Sequence, residues 1–124
     1  MSCLTKKKIL VAEDERALLK LYKQMLEADG YDVTAVATGQ EALDLIEEGE
    51  FDLLFLDIRL PDIRGDKIVE EMLGRDDDTT VVLITGFPEL QSGIDALDLG
   101  IYEILIKPIK VEELLRVARE ALSS

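Results

Sequence analysis

Four short runs of apolar residues constrain this chain more than any other feature: Lys8-Ile9-Leu10-Val11-Ala12, Leu53-Leu54-Phe55-Leu56, Val81-Val82-Leu83-Ile84 and Ile104-Leu105-Ile106. A strand with one wet face alternates apolar with polar residues, whereas a strand covered on both faces is apolar throughout. The runs therefore predict the strands of a parallel sheet sandwiched between helices. Asp32-Val33-Thr34-Ala35-Val36 supplies a fifth strand. Between the strands lie helical patterns: Leu18, Tyr22, Met25 and Leu26 recur at i, i+4, i+7 and i+8, and Val111, Leu115, Ala118 and Leu122 recur similarly. Five strands alternating with five amphipathic helices predict an α/β fold with a doubly wound five-stranded parallel sheet, and the order 2-1-3-4-5 suits a chain of this length.

Helix boundaries are legible at several points. Gly30 stands where a C′ residue would end the first helix, and Thr38-Gly39-Gln40-Glu41 reads as a capping box opening the second. The third helix is predicted from Asp66 to Leu73, ended by Gly74. A fourth, about Glu89 to Leu99, is weakened by Gly93 inside it and by Gly86 and Gly100 beside it. Asp76-Asp77-Asp78 reads as a solvated loop, and Cys3 lies in a frayed start with no role assigned.

With 124 residues the chain suits one domain, 1–124, whose core runs from about residue 7 to 122 with no effector domain following. Fourteen basic against 27 acidic residues leave a net charge of −13, which disfavours nucleic acid and anionic lipid and favours cations. The longest unbroken apolar run is four residues, far short of a membrane span, so the expectation is a soluble cytoplasmic protein. A single cysteine rules out an internal disulfide, and the lack of histidine rules out His-based catalysis and His-ligated metals. Chemistry here must run on carboxylates, hydroxyls and lysine.

In a sheet of this order, ligands bind beyond the carboxyl ends of the strands. Strand one ends in Glu13-Asp14-Glu15, strand three in Asp57, strand four in Thr85 and strand five in Lys107-Pro108. Alone, an acidic pair such as Glu13-Asp14 is more often a solvated helix start, Thr85 a β-branched residue ending a strand, and Lys107-Pro108 an ordinary turn. Taken together, converging carboxylates demand a compensating cation. Lys107 supplies one charge, and an oxygen-only cluster suits a hard divalent ion, Mg²⁺ (or Mn²⁺). A divalent ion, a lysine and a threonine hydroxyl around one aspartate form a site for phosphoryl transfer to that aspartate.

On these residues the chain resembles the receiver domain of two-component response regulators, from about Lys7 to Leu122. The resemblance rests on Ile9 to Glu15, on Asp57 followed by Pro61 and Gly65, on Thr85-Gly86, and on Gly100 seven residues before Lys107-Pro108. It implies a flavodoxin-like (βα)5 fold in the strand order that a chemotaxis receiver shows. It further implies that Asp57 accepts a phosphoryl group from a sensor histidine kinase or phosphotransfer protein, with Thr85 and Lys107 contacting the phosphoryl oxygens. Asp14 would ligate Mg²⁺ directly, Glu13 through water and Arg59 by its backbone carbonyl. A cis peptide at Lys107-Pro108 would aim the ammonium into the pocket. Such a domain catalyses its own modification, so the label of enzyme fits it poorly. Its output goes to a partner or effector domain that the sequence does not name, or to a dimer through helix 4, strand 5 and helix 5.

One departure stands out: the family usually has an aromatic residue three before the lysine, and this chain has Ile104. The switch is accordingly expected in Gly86 and Phe87, with Arg59 and Phe87 screening the acceptor from water. Two other readings compete. A pseudo-receiver acting as a phosphorylation-independent interaction module would explain Ile104 but not the complete acceptor set. An aspartyl-phosphate phosphatase would usually carry its nucleophile after the first strand with a second Asp two residues on, and Glu13-Asp14-Glu15 lacks that spacing.

Overall fold

The computed structural model describes residues 6–49, 51–72, 79–87 and 100–123. Five strands, β1 (Lys8–Ala12), β2 (Asp32–Val36), β3 (Leu53–Asp57), β4 (Thr80–Thr85) and β5 (Glu103–Ile106), form one parallel sheet in the order β2-β1-β3-β4-β5. Four helices are described: α1 (Arg16–Ala28), α2 (Gly39–Glu47), α3 (Gly65–Met72) and α4 (Val111–Leu122). The segment predicted as a helix over 89 to 99 lies outside the described residues, as do Gly74 and the acidic loop at 76 to 78, so α4 is the fifth predicted helix.

Strand alternation divides the core in two. Leu10, Leu54, Leu56 and Leu83 face α2 and α3, whereas Ile9, Val11, Phe55 and Ile84 face α1 and α4. Every residue of β3 is buried, which is why its sequence shows no alternation. Each fully buried aliphatic or aromatic side chain stabilises the fold by roughly 1.5–3 kcal/mol relative to exposure. The apolar runs thus supply the driving force as well as the pattern.

The helix ends follow the chemistry of their sequences. Gly30 (φ 98°) closes α1 in a Schellman motif, its N–H donating to Glu27 O at 3.0 Å while Tyr31 N–H donates to Leu26 O at 3.2 Å. Thr38 Oγ1 accepts from Glu41 N–H at 3.2 Å, as a cap should. The reciprocal half of the capping box differs from expectation, because the Glu41 carboxylate accepts a hydrogen bond from the Thr38 hydroxyl at 2.9 Å. The amides of Gly39 and Gln40 are instead satisfied by Asp62, from the loop between β3 and α3.

Candidate functional site

Parallel pairing carries the ends of β1, β3, β4 and β5 to one edge of the sheet, and each places a polar residue there. Glu13 follows β1 and is fully buried, its N–H donating to Val36 O. Asp57 ends β3 and Thr85 ends β4, and both are buried as well. Asp14 remains exposed at the rim. Carboxylate oxygens of Glu13, Asp14 and Asp57 all lie within 4.8 Å of one another.

Lys107 reaches this cluster from beyond β5, with its backbone N–H anchored on Thr85 O at 2.7 Å. Its Nζ lies 2.8 Å from Asp57 Oδ2 and 2.8 Å from Glu13 Oε1, so one ammonium bridges the ends of β1 and β3. The stem runs beside Gly86, where an added Cβ would make only ordinary contact at 3.9 Å. The Lys107–Pro108 peptide is cis. On Asp57 the two oxygens are held differently: Oδ2 by Lys107, and Oδ1 by the Arg59 N–H at 2.9 Å.

The electrostatics follow from burial. Desolvation pushes the Glu13 carboxyl up to about 7, opposed by the Lys107 ammonium and the Glu15 N–H and assisted by the charge on Asp57. Burial works against the charge on Lys107, but its hydrogen bond to Asp57 and the nearby negative carboxylates of Asp57 and Glu13 outweigh this, and its pKa is raised. Glu13 Oε1 has no well-aligned hydrogen-bond donor, the approach of Lys107 being a charge contact. A buried carboxylate oxygen without an aligned donor, in an all-oxygen cluster of three acids facing one ammonium, fits a hard divalent cation.

The residues expected to screen the acceptor or to switch, among them Arg59, Gly86, Phe87 and Ile104, lie on β5 and in the segments that follow β3 and β4. Thr85 Oγ1 accepts from Phe87 N–H at 3.0 Å. Phe87 is 40% exposed, and the Arg59 guanidinium lies 4.3 Å from its ring centroid. Ile104, paired in register with Leu83, is half-buried against the α2–α3 side of the core. Tyr102 precedes β5 and is exposed, although its N–H extends the ladder to Val81 O at 2.8 Å.

The model of the response regulator receiver domain family matches residues 9–119. The chain belongs to that family. Among relatives of this receiver is an uncharacterized transcriptional regulatory protein of Bacillus subtilis, YkoG, 35% identical over 92% of this chain and 50% of its own length. A CheY-like receiver domain protein of Methanospirillum hungatei superposes with a TM-score of 0.86 at 33% identity, covering 94% of this chain and 93% of that one. Response regulator TrrA of Thermotoga maritima, solved in complex with Mg²⁺ and BeF, gives a TM-score of 0.84 at 29% identity over 94% and 99% of the two chains. The receiver spans about half the length or less of the curated relatives it matches. Among the described residues, no helix is long and apolar enough to cross a membrane.

Two residues near the site escaped the sequence reading. Tyr22 looks like a core position of α1 and is one, yet burial and the charge on Glu13 push its phenol up to about 12. Asp62 reads as a turn residue after Pro61; the hydrogen bonds it accepts from the Gly39 and Gln40 amides appear only when α2 is brought against the loop.

Proposed function

We propose that Asp57 is the phosphoacceptor of this receiver domain, taking its phosphoryl group from a sensor histidine kinase or a phosphotransfer protein. The observation that carries this reading is the setting of Asp57: a buried carboxylate at the end of the central strand, held by Lys107 on one oxygen and by a backbone N–H on the other, beside Glu13 and Asp14. A carboxylate oxygen of Asp57 forms the new bond to phosphorus while the bond from phosphorus to the donor nitrogen breaks, the electron pair leaving with that nitrogen. Glu13, Asp14, Asp57 and the Arg59 carbonyl would hold Mg²⁺, which supplies positive charge against the oxygens of the transferring group. The Lys107 ammonium moves from carboxylate to phosphoryl oxygen. Thr85 donates its hydroxyl proton to another, and its oxygen can keep the Phe87 N–H as it does so, since a hydroxyl donates and accepts together.

The domain is proposed to act as a single unit, core 7–122, working in the cytoplasm. Its phosphorylation biases a two-state surface read by an effector domain or partner, with β5 and α4 as part of that surface. Incubation with acetyl phosphate and Mg²⁺, followed by intact mass and peptide mapping, tests the reading. One added phosphoryl group on Asp57, absent from Asp57→Asn, is the expected result; an unmodified wild type would favour a phosphorylation-independent module, and a phosphoryl group on another residue would remove Asp57 from the role.

A further inference from the structure

The loop from Ile58 to Arg64 leaves the acceptor and is pinned at both of its faces. At its end, Gly65 sits so close to the acceptor that an added Cβ would lie 2.5 Å from the Asp57 carbonyl oxygen, and its N–H donates to Ile58 O at 2.9 Å. At its tip, Gly39 of α2 approaches so closely that an added Cβ would lie 2.8 Å from Ile63 Cβ. Asp62 joins the two elements there: Oδ1 accepts from Gly39 N–H at 2.7 Å and from Ile63 N–H at 3.0 Å, and Oδ2 accepts from Gln40 N–H at 2.9 Å. The α2 terminus has its own cap in Thr38, so Asp62 is a second, external cap whose distinct effect is to tie the loop down. Between the two pinned points lies Arg59, whose N–H is the partner of Asp57 Oδ1.

We propose that Asp62 is a positioning residue for the chemistry at Asp57: by fastening the loop tip to the N-terminus of α2, it holds the Arg59 peptide group in register with the acceptor carboxylate. The proposal rests on Asp57 being the phosphoacceptor. Charge and geometry both favour a carboxylate in this place, since two oxygens match two successive amides and the helix terminus attracts negative charge. Side-chain attachment at one point leaves the loop's other contacts intact, so its loss shifts Arg59 without unfolding the sheet.

The test compares Asp62→Ala, Asp62→Asn and Thr38→Ala with wild type. Thr38→Ala removes the internal cap of the same helix and leaves the loop tied, so it controls for loss of helix stability. Phosphorylation of Asp57 by acetyl phosphate with Mg²⁺ should slow about tenfold or more in Asp62→Ala, as misplacement near a reacting group does. It should recover most of its rate in Asp62→Asn, whose amide oxygen can still accept from Gly39 and Ile63, and stay within about twofold of wild type in Thr38→Ala. Independently of any phosphoryl donor, hydrogen exchange at the Arg59 amide should accelerate in Asp62→Ala and not in Thr38→Ala. A rate within twofold of wild type in Asp62→Ala, equal slowing in Thr38→Ala, or unchanged exchange at Arg59 would each overturn the positioning role. A wild type that takes no phosphoryl group would instead overturn the assignment of Asp57, and the role of Asp62 with it.

Discussion

The Arg59 guanidinium carbon stands 4.3 Å from the centroid of the Phe87 ring, so the chain leaving β3 meets the chain leaving β4 through a cation resting on an aromatic face. Each partner lies two residues beyond a residue of the site, Asp57 or Thr85. At exposed positions such a contact contributes roughly 0.5–1 kcal/mol. Replacing both with Ala should shorten the lifetime of the aspartyl phosphate severalfold by admitting water. Because either single replacement breaks the stack, each should account for most of the change seen in the double variant. Dephosphorylation followed by intact mass reads this directly, and a lifetime unchanged or lengthened in the double variant would show that the stack does not screen the acceptor.

Gly65→Ala should destabilise the domain by about 1–3 kcal/mol, because the new methyl meets the backbone carbonyl of Asp57, which has no side-chain freedom with which to yield. Urea unfolding measures the loss. A variant as stable as wild type would mean that the loop gives way at its own expense, and mapping of phosphorylation would then show whether the acceptor moved with it.

The pH dependence of metal-free stability should carry the mark of Glu13. Its carboxyl is raised in the folded protein from the ordinary 4.5 to about 7, so between these values the folded state binds more protons than the unfolded chain. The contribution of Glu13 is therefore fully present below pH 4.5 and is lost as the pH rises through 7, on the order of 3 kcal/mol in all. Thermal unfolding without divalent ions should show wild type losing stability relative to Glu13→Gln across that window. Parallel profiles for the two proteins would contradict the raised carboxyl.

Mg²⁺ at ten times its dissociation constant should stabilise wild type by about 1.4 kcal/mol. Lys107→Ala removes the cation that lies between Glu13 and Asp57, so metal-free stability should fall by roughly 2–4 kcal/mol. Mg²⁺ should recover more stability in this variant than in wild type, while the response to phosphorylation is lost. A melting temperature insensitive to Mg²⁺ in both proteins would remove the metal site.

Much of this architecture was legible because burial on both faces writes itself into consecutive residues. Strands β1 and β2 fall where the sequence places them, and β3, β4 and β5 extend by one or two residues into polar ends such as Asp57, Thr80 and Glu103, where composition gives no signal. The convergence of Glu13, Asp57 and Lys107 followed from the strand order alone. What stayed hidden were contacts between elements distant in sequence. Asp62 caps a helix more than twenty residues before it, and Tyr22 has the spacing of any core residue. The meeting of Arg59 with Phe87 needed two loop conformations that no periodicity encodes.

The bridging ammonium also ties the acidic edge to the last strand of the sheet. Strands β2, β1 and β3 are neighbours in the sheet and are drawn from the first half of the chain, so that triplet is complete in sequence before β4 and β5 have been made. It carries Glu13, Asp14 and Asp57 but no counter-charge from Lys107, which arrives only with the last strand. A nascent or truncated chain ending before β5 thus bears mutual repulsion at the very edge that later becomes its site. The closing of the sheet by β5 and the neutralising of its acidic edge are therefore one event.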